Sequence, residues 1–141
     1  MRITTTMKGG LVACILFSLS VDLVAQGGGS LKTPAPAGKT QRVRFARGRT
    51  TAILKGAVVR GTEDRYILGA RAGQTMIVHL TSREKNAEFL IQDPNGTAVE
   101  GLDDGLADTD WTGELPVSGD YSIWVSPTRG NATYTLEITI R

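Results

Sequence analysis

The side chains that could carry out catalysis are few and widely spaced in this sequence of 141 residues. Its single histidine, His79, has no cysteine partner, and the sequence contains neither a G-x-S-x-G nucleophile motif nor an H-E-x-x-H metal motif. Because His79 alternates with the apolar residues Val78 and Leu80, we expect it on a protein surface. The sequence therefore predicts a protein that is not an enzyme and that uses no cofactor.

An acidic segment at 101–110 is the one candidate for metal binding, since carboxylates suit calcium. Its aspartates are Asp103, Asp104, Asp108 and Asp110. The alternation D-x-D-x-D-G, which turns such side chains toward one ion, is absent, and Asp and Gly are ordinary loop residues. We expect a solvated loop without a metal, with calcium as the alternative.

A more organised loop runs from Leu115 to Tyr121 with the sequence Leu-Pro-Val-Ser-Gly-Asp-Tyr. Its proline and glycine turn the chain into the next strand, and Tyr121 begins that strand on the inward face. We expect the hydroxyl of Tyr121 to bond to nearby backbone, as in the tyrosine corner of other sandwiches. Ser118 would then project from the loop.

Two further side chains are candidates for binding a partner. Trp124 shares its face of a strand with Ser122 and Ser126, so an exposed ring could anchor a protein or a sugar. If a neighbouring segment covers the ring, Trp124 is ordinary packing. Arg129 lies in a loop, where it is simply solvated unless that loop enters the acidic cleft of a partner.

The elements that hold these residues follow a period of two, which is typical of half-buried strands. Inward positions recur in five segments, at Val43 and Phe45, at Tyr66, Leu68 and Ala70, at Met76, Val78 and Leu80, at Tyr121, Ile123 and Val125, and at Tyr134, Leu136, Ile138 and Ile140. Asn95-Gly96 marks a hairpin turn. About eight short strands without a helix predict an all-β fold, a two-sheet antiparallel β-sandwich.

The N-terminal residues 1–25 have the pattern of a signal peptide. Arg2 and Lys8 precede an apolar run of roughly ten residues, too short to span a membrane, and we expect cleavage after Ala25. Cys14 offers a lipoprotein alternative, but most of the apolar run follows it. We therefore expect a periplasmic or secreted protein, with a flexible Gly/Pro linker at 26–40 and the sandwich domain at 41–141.

Charge is distributed unevenly along the chain. Basic residues dominate between Lys39 and Arg71, and acidic residues dominate between Glu84 and Asp120. The two halves either attract each other across the fold or form separate patches. The basic residues have no interleaved aromatics, so nucleic acid is not an expected partner.

The sequence resembles the periplasmic inhibitors of g-type lysozyme, a family whose jelly-roll-like sandwich is related to bacterial pre-peptidase C-terminal domains. The matching residues cover almost the whole domain. They are Val43-Arg44-Phe45, Gly48, Ala52, Gly56, Tyr66, Ala70-x-x-Gly73-Gln74, Met76, Val78, Leu115-Pro116-x-Ser118-Gly119-x-Tyr121, Val125, Thr128-Arg129, Tyr134 and Ile138-Thr139-Ile140.

This resemblance implies a lysozyme as the protein partner and loops that block the lysozyme cleft. The residues that it assigns to binding are Ser118, Gly119, Tyr121, Thr128 and Arg129, with Arg129 paired to a cleft carboxylate. The loop after Arg129 is short here, whereas better-known members extend it with further basic residues. The alternative function is a noncatalytic accessory module that binds a glycan on Trp124 or binds another protein.

Overall fold

A computed structural model describes residues 37–102 and 109–141 of the chain. The predicted signal peptide at 1–25 with Cys14, the linker up to residue 36, and the loop residues Asp103, Asp104 and Asp108 lie outside the described residues. Within the two described ranges, no helix reaches the length and apolarity that crossing a membrane would require.

The described residues form a sandwich of two four-stranded sheets. The strands are β1 (Ala37–Arg42), β2 (Thr51–Val58), β3 (Glu63–Ala70), β4 (Thr75–Ser82), β5 (Ala87–Gln92), β6 (Asp110–Glu114), β7 (Gly119–Pro127) and β8 (Ala132–Ile140). One sheet has the order β1-β3-β7-β5 and the other β2-β8-β4-β6. The all-β sandwich expected from the alternating pattern is therefore confirmed.

Alternate side chains of the strands fill the space between the sheets. The fully buried large residues include Tyr66, Leu68, Met76, Leu80, Phe89, Ile91, Tyr121, Ile123, Leu136 and Ile138. Burying a large apolar side chain contributes about 1.5–3 kcal/mol, which allows this domain to fold without a disulfide. His79 on β4 and its partner Glu137 on β8 lie on the outer face of the second sheet, where both are exposed. The alternation predicts this position for His79.

The first strand departs from the sequence prediction in position and direction. The pattern around Val43 and Phe45 indicated a strand there, but β1 ends at Arg42 and already begins at Ala37, within the segment expected to be linker. It pairs in parallel with β3, whereas the other strand pairs are antiparallel, so this sheet is mixed. Val43 stays attached to the sheet because its N–H donates to the Ile67 carbonyl at 2.8 Å.

A buried polar cluster connects β1 to both sheets. Asp64 on β3 is only 3% exposed, and it accepts hydrogen bonds from the backbone N–H of Lys39 at 3.0 Å and from the Tyr134 hydroxyl on β8. The hydroxyls of Tyr134 and Tyr66 lie 2.7 Å apart. Because a buried carboxylate needs such donors, the cluster fixes the position of β1 against the sandwich.

The turns between strands gather at the two ends of the sandwich. The Ser118 end comprises the turns at 71–74, 93–97 and 115–118. The Arg129 end comprises the turns at 59–62, 83–86 and 128–131. The hairpin turn expected at Asn95-Gly96 is present at the Ser118 end, but its second arm contributes only an isolated bridge between Gln92 and Ala98.

Candidate functional site

Arg129 is held by a hydrogen-bonded clamp between two turns of the Arg129 end. Asn86, which is 5% exposed, donates its side-chain amide to the carbonyls of Arg129 at 2.7 Å and of Asn131 at 3.0 Å. Its own carbonyl accepts the N–H of Thr128 at 2.8 Å, and Ser82 donates to its side-chain oxygen at 3.1 Å. The backbone of the Arg129 turn is therefore fixed, while the guanidinium faces solvent.

The third turn of this end is attached in the same way. The backbone N–H of Arg60 donates to the side-chain oxygen of Asn131 at 2.9 Å. Exposed basic residues thus converge on one end from three separate turns: Arg60, Arg83, Lys85 and Arg129. The fold brings these basic turns together from distant parts of the chain.

Glu84, the acidic residue of the middle turn, is engaged by the neighbouring strand. Its pKa is lowered by a hydrogen bond from its own backbone N–H and by the hydroxyl and N–H of Thr133, which donate to the carboxylate at 3.0–3.3 Å. A carboxylate whose charged form is stabilised in this way remains ionised and keeps the 83–86 turn against β8. Arg83 and Lys85, the residues on either side of Glu84, are exposed.

The Ser118 end is built from internal contacts. The Tyr121 side chain is fully buried and its hydroxyl donates to the Val117 carbonyl at 2.7 Å, which confirms the expected tyrosine corner. The hydroxyl oxygen of Ser118 accepts the N–H of Ala72 at 2.9 Å and links two turns. Gly119 has a φ of 145°, and a side chain there would collide with the ring of Pro94.

Ser118 and Arg129 lie at opposite ends of the molecule. β7 runs from Gly119 to Pro127, so nine extended residues separate the two turns, a span of roughly 30 Å. Ser118 and Arg129 therefore belong to two separate surfaces of the domain. The reason is that one candidate loop precedes β7 and the other follows it. The two ends of a strand lie at opposite ends of its sheet.

Solved structures identify the relatives of this fold. The chain is 32% identical to the Aeromonas hydrophila PliG, a periplasmic lysozyme inhibitor of g-type lysozyme, with a TM-score of 0.64 over 73% of this chain and 96% of that one. This chain belongs to the PliG family. The Salmonella Typhimurium PliG is 26% identical with a TM-score of 0.60, covering 74% of this chain and 99% of its own.

A further solved structure shares the fold at low sequence identity. The pre-peptidase C-terminal domain of a Bacillus anthracis collagenase is 11% identical, with a TM-score of 0.50 over 73% of this chain and 95% of that domain. A scan against models of protein families found no match, and neither did a search of curated proteins. The PliG relatives are inhibitors by name, which agrees with the expectation that this chain is not an enzyme.

Trp124 is half-buried on the outer face of the first sheet in this PliG family member. The Arg65 guanidinium lies over its ring at 4.9 Å from the centroid, and its N–H donates to the side-chain oxygen of Gln92 at 2.9 Å. Arg65 in turn donates to the hydroxyl of Ser122 at 2.9 Å. Contacts with Arg65 and Gln92 therefore hold the half-buried ring in place by a cation–π interaction and a hydrogen bond.

The acidic segment shows one described aspartate, which is already paired. Asp110 contacts the imidazole Nδ1 of His79 and accepts a hydrogen bond from the hydroxyl of Thr109 at 2.9 Å. The hydrogen bond from His79 lowers the pKa of Asp110. Across residues 37–102 and 109–141, no three His, Cys, Asp or Glu side chains are arranged to hold a metal ion.

The residues that organise the Arg129 end were not identified from the sequence. Asn86 stands between a charged turn and a strand, and nothing in the pattern indicates that it is buried. Arg60 lies in the basic part of the chain, whereas Arg83 and Lys85 lie at the beginning of the acidic part, so their convergence depends on the order of strands in the two sheets. Of this end, the sequence indicated Thr128 and Arg129.

Proposed function

We propose that this chain is a periplasmic or secreted inhibitor of g-type lysozyme, which enters the active-site cleft with its Arg129 end. The observation that carries this proposal is the clamp of Asn86, which fixes the backbone carrying Arg129 while its guanidinium remains exposed. Membership of the PliG family and the signal-peptide pattern at 1–25 support the partner and the compartment.

The chemistry of a lysozyme cleft suits a guanidinium. Glycoside hydrolases flank the scissile bond with carboxylates, and an arginine fork can bind a carboxylate with two parallel hydrogen bonds. In a cleft from which water is excluded, that pair becomes stronger, and it also places the protein where substrate would bind. Because the turn of Arg129 is already ordered, little conformational entropy is lost when it enters the cleft.

Several features favour the Arg129 end over the Ser118 end as the inserted surface. The hydroxyls of Ser118 and Tyr121 are occupied by Ala72 and Val117, so they serve the structure of their own turn. In the proposal, Ser118, Gly119 and Tyr121 are therefore structural, whereas Thr128 and Arg129 contact the enzyme. Trp124, stacked under Arg65, provides no specific support for the alternative of glycan binding.

The proposal is tested by titrating the purified chain against g-, c- and i-type lysozymes in a cell-wall lysis assay. We expect inhibition of the g-type enzyme, and Arg129→Ala should weaken it by about 2–5 kcal/mol if the ion pair is buried in the complex. No inhibition of any class at micromolar protein would contradict the proposed function.

Two variants at the other end serve as matched controls for the arginine. Arg71→Ala removes the same exposed side chain from the Ser118 end, and Ser118→Ala removes the candidate hydroxyl there. Both should change inhibition by less than about 0.5 kcal/mol, a value typical of surface substitutions. If Arg71→Ala weakened inhibition as much as Arg129→Ala, the assigned end would be wrong.

A further inference from the structure

We propose that Lys85 is a second cation of the same binding surface and acts beside Arg129 on a second acidic group of the lysozyme cleft. The inference rests on the proposed function and extends it to a residue of a different turn. It is carried by the strand register at the Arg129 end and by the backbone conformation of Lys85.

The register brings Lys85 next to Arg129. Ala87 on β5 pairs with Pro127 on β7, and the hydrogen bond from the Thr128 N–H to the Asn86 carbonyl continues this pairing by one residue beyond the strands. Lys85 and Arg129 follow immediately on the two chains. Both side chains are exposed, so the two turns that Asn86 joins each present a cation to solvent.

The backbone of Lys85 adopts a conformation that costs energy for a residue with a side chain. Its φ is 51°, and among the described residues every other positive φ belongs to glycine. The two other turns of the same end use Gly61 and Gly130, with φ of 80° and 58°. A left-handed conformation costs energy for a residue other than glycine, and residues held in such conformations cluster at functional sites.

The backbone conformation of Lys85 is held by hydrogen bonds of its own N–H and of the neighbouring residues. The amine of its side chain does not contribute to it. The N–H of Lys85 donates to the Ser82 carbonyl at 3.2 Å, and the next residue is the buried Asn86. Glu84 holds the turn to Thr133 on the other side. Within residues 37–102 and 109–141, the Lys85 amine makes no hydrogen bond or ion pair, so it is available to a partner.

Two adjacent cations match the acidic groups of a glycosidase cleft. Glycoside hydrolases use two carboxylates separated by roughly 5–10 Å. The planar fork of Arg129 suits one carboxylate with two hydrogen bonds, and the mobile ammonium of Lys85 suits a second as a point charge. Both turns are clamped by Asn86, so the spacing between their backbones is fixed before the enzyme is met.

The decisive variant is Lys85→Gly in the full chain, measured for inhibition of g-type lysozyme and for thermal stability. Glycine adopts this backbone without strain, so the melting temperature should be unchanged or higher. The inhibition constant should rise by roughly tenfold or more because a charge contact is lost. Lys85→Gln removes the charge and retains the strained side chain, and it should weaken inhibition equally. Lys85→Arg should preserve it.

The outcomes separate this inference from the function on which it rests. If the unaltered chain inhibits and Arg129→Ala weakens it, but Lys85→Gly and Lys85→Gln change the inhibition constant less than twofold, only the role of Lys85 is wrong. If Lys85→Gly lowers the melting temperature while Lys85→Gln inhibits normally, Lys85 is structural and the inference is overturned. If the unaltered chain inhibits no lysozyme, both the function and the role of Lys85 fall.

Discussion

Asn86 connects neighbouring turns with one side chain, and this makes it the key residue for positioning Arg129. A buried amide that loses its acceptors is costly, so the interactions of Asn86 stabilise the turn and the fold together. The tyrosine corner of Tyr121 and the exposure of Arg129 could be predicted from the sequence, because strand-opening tyrosines and loop arginines follow local rules. The role of Asn86 was missed because its partners lie 43 and 45 residues away.

Asn86→Ala should lower both stability and inhibition. It removes two donated hydrogen bonds worth about 0.5–1.5 kcal/mol each, so we expect the free energy of unfolding to fall by about 2 kcal/mol in urea titration. Inhibition should weaken further because Arg129 then lies on a less ordered turn. Asn95→Ala, in an exposed turn of the other end, is the control and should stay within about 0.5 kcal/mol. Wild-type inhibition by Asn86→Ala would show that the clamp does not position Arg129.

At the scale of the elements, the alternating pattern located the central strands but not the edge strand β1. β3, β4, β7 and β8 carry apolar residues at every second position, which is the pattern that a half-buried strand imposes. β1 contains Gly38, Lys39 and Thr40, and it is held instead by the buried carboxylate of Asp64 and by pairing with β3. A strand that is held by a distant polar contact and by strand pairing does not need an alternating apolar pattern, so the sequence does not show it.

Tyr134→Phe should destabilise this junction between the sheets. The substitution removes the hydroxyl that donates to the buried Asp64 carboxylate, which then keeps the Lys39 N–H as its donor from this cluster. We therefore expect the free energy of unfolding to fall by about 1–3 kcal/mol. Tyr66→Phe is the matched comparison. It keeps the bond between Tyr134 and Asp64, so its loss in urea titration should be smaller. An equal or larger loss for Tyr66→Phe would mean that Asp64 is not the centre of the cluster.

For the whole molecule, the order of charges along the chain does not predict their arrangement in space. Arg71 from the basic half lies at the Ser118 end, while Arg60 from the same half joins Lys85 and Arg129 at the opposite end. A strand carries the chain from one end to the other, so turns that flank one strand, such as 59–62 and 71–74, lie at opposite ends. Periodicity in the sequence is enough to predict the fold class, but predicting which residues meet at the Arg129 end requires the order of the strands.

Acid should weaken the whole molecule through carboxylates that join its parts. Asp120 on β7 binds the guanidinium of Arg42 on β1 with two hydrogen bonds at 2.8 and 3.0 Å, which lowers its pKa below the usual 3.8. Glu84 and Asp110 have lowered pKa values for similar reasons. These carboxyl groups bind protons at higher pH in the unfolded chain than in the folded one. The stability that they contribute is therefore complete above the usual carboxyl pKa. It is lost as the pH falls through their lower pKa values in the folded chain.

The melting temperature should therefore be nearly constant from neutral pH down to the usual carboxyl pKa and should decline below it. Asp120→Asn removes one of the three titrating contacts, so its decline in acid should be shallower than that of the unaltered chain. Arg42→Gln removes the partner that lowers the pKa of Asp120 and should have the same effect. Since these groups are exposed, high salt should reduce the difference between the variants and the unaltered chain. Identical acid profiles for all three proteins at low salt would exclude the Arg42–Asp120 pair from the pH dependence.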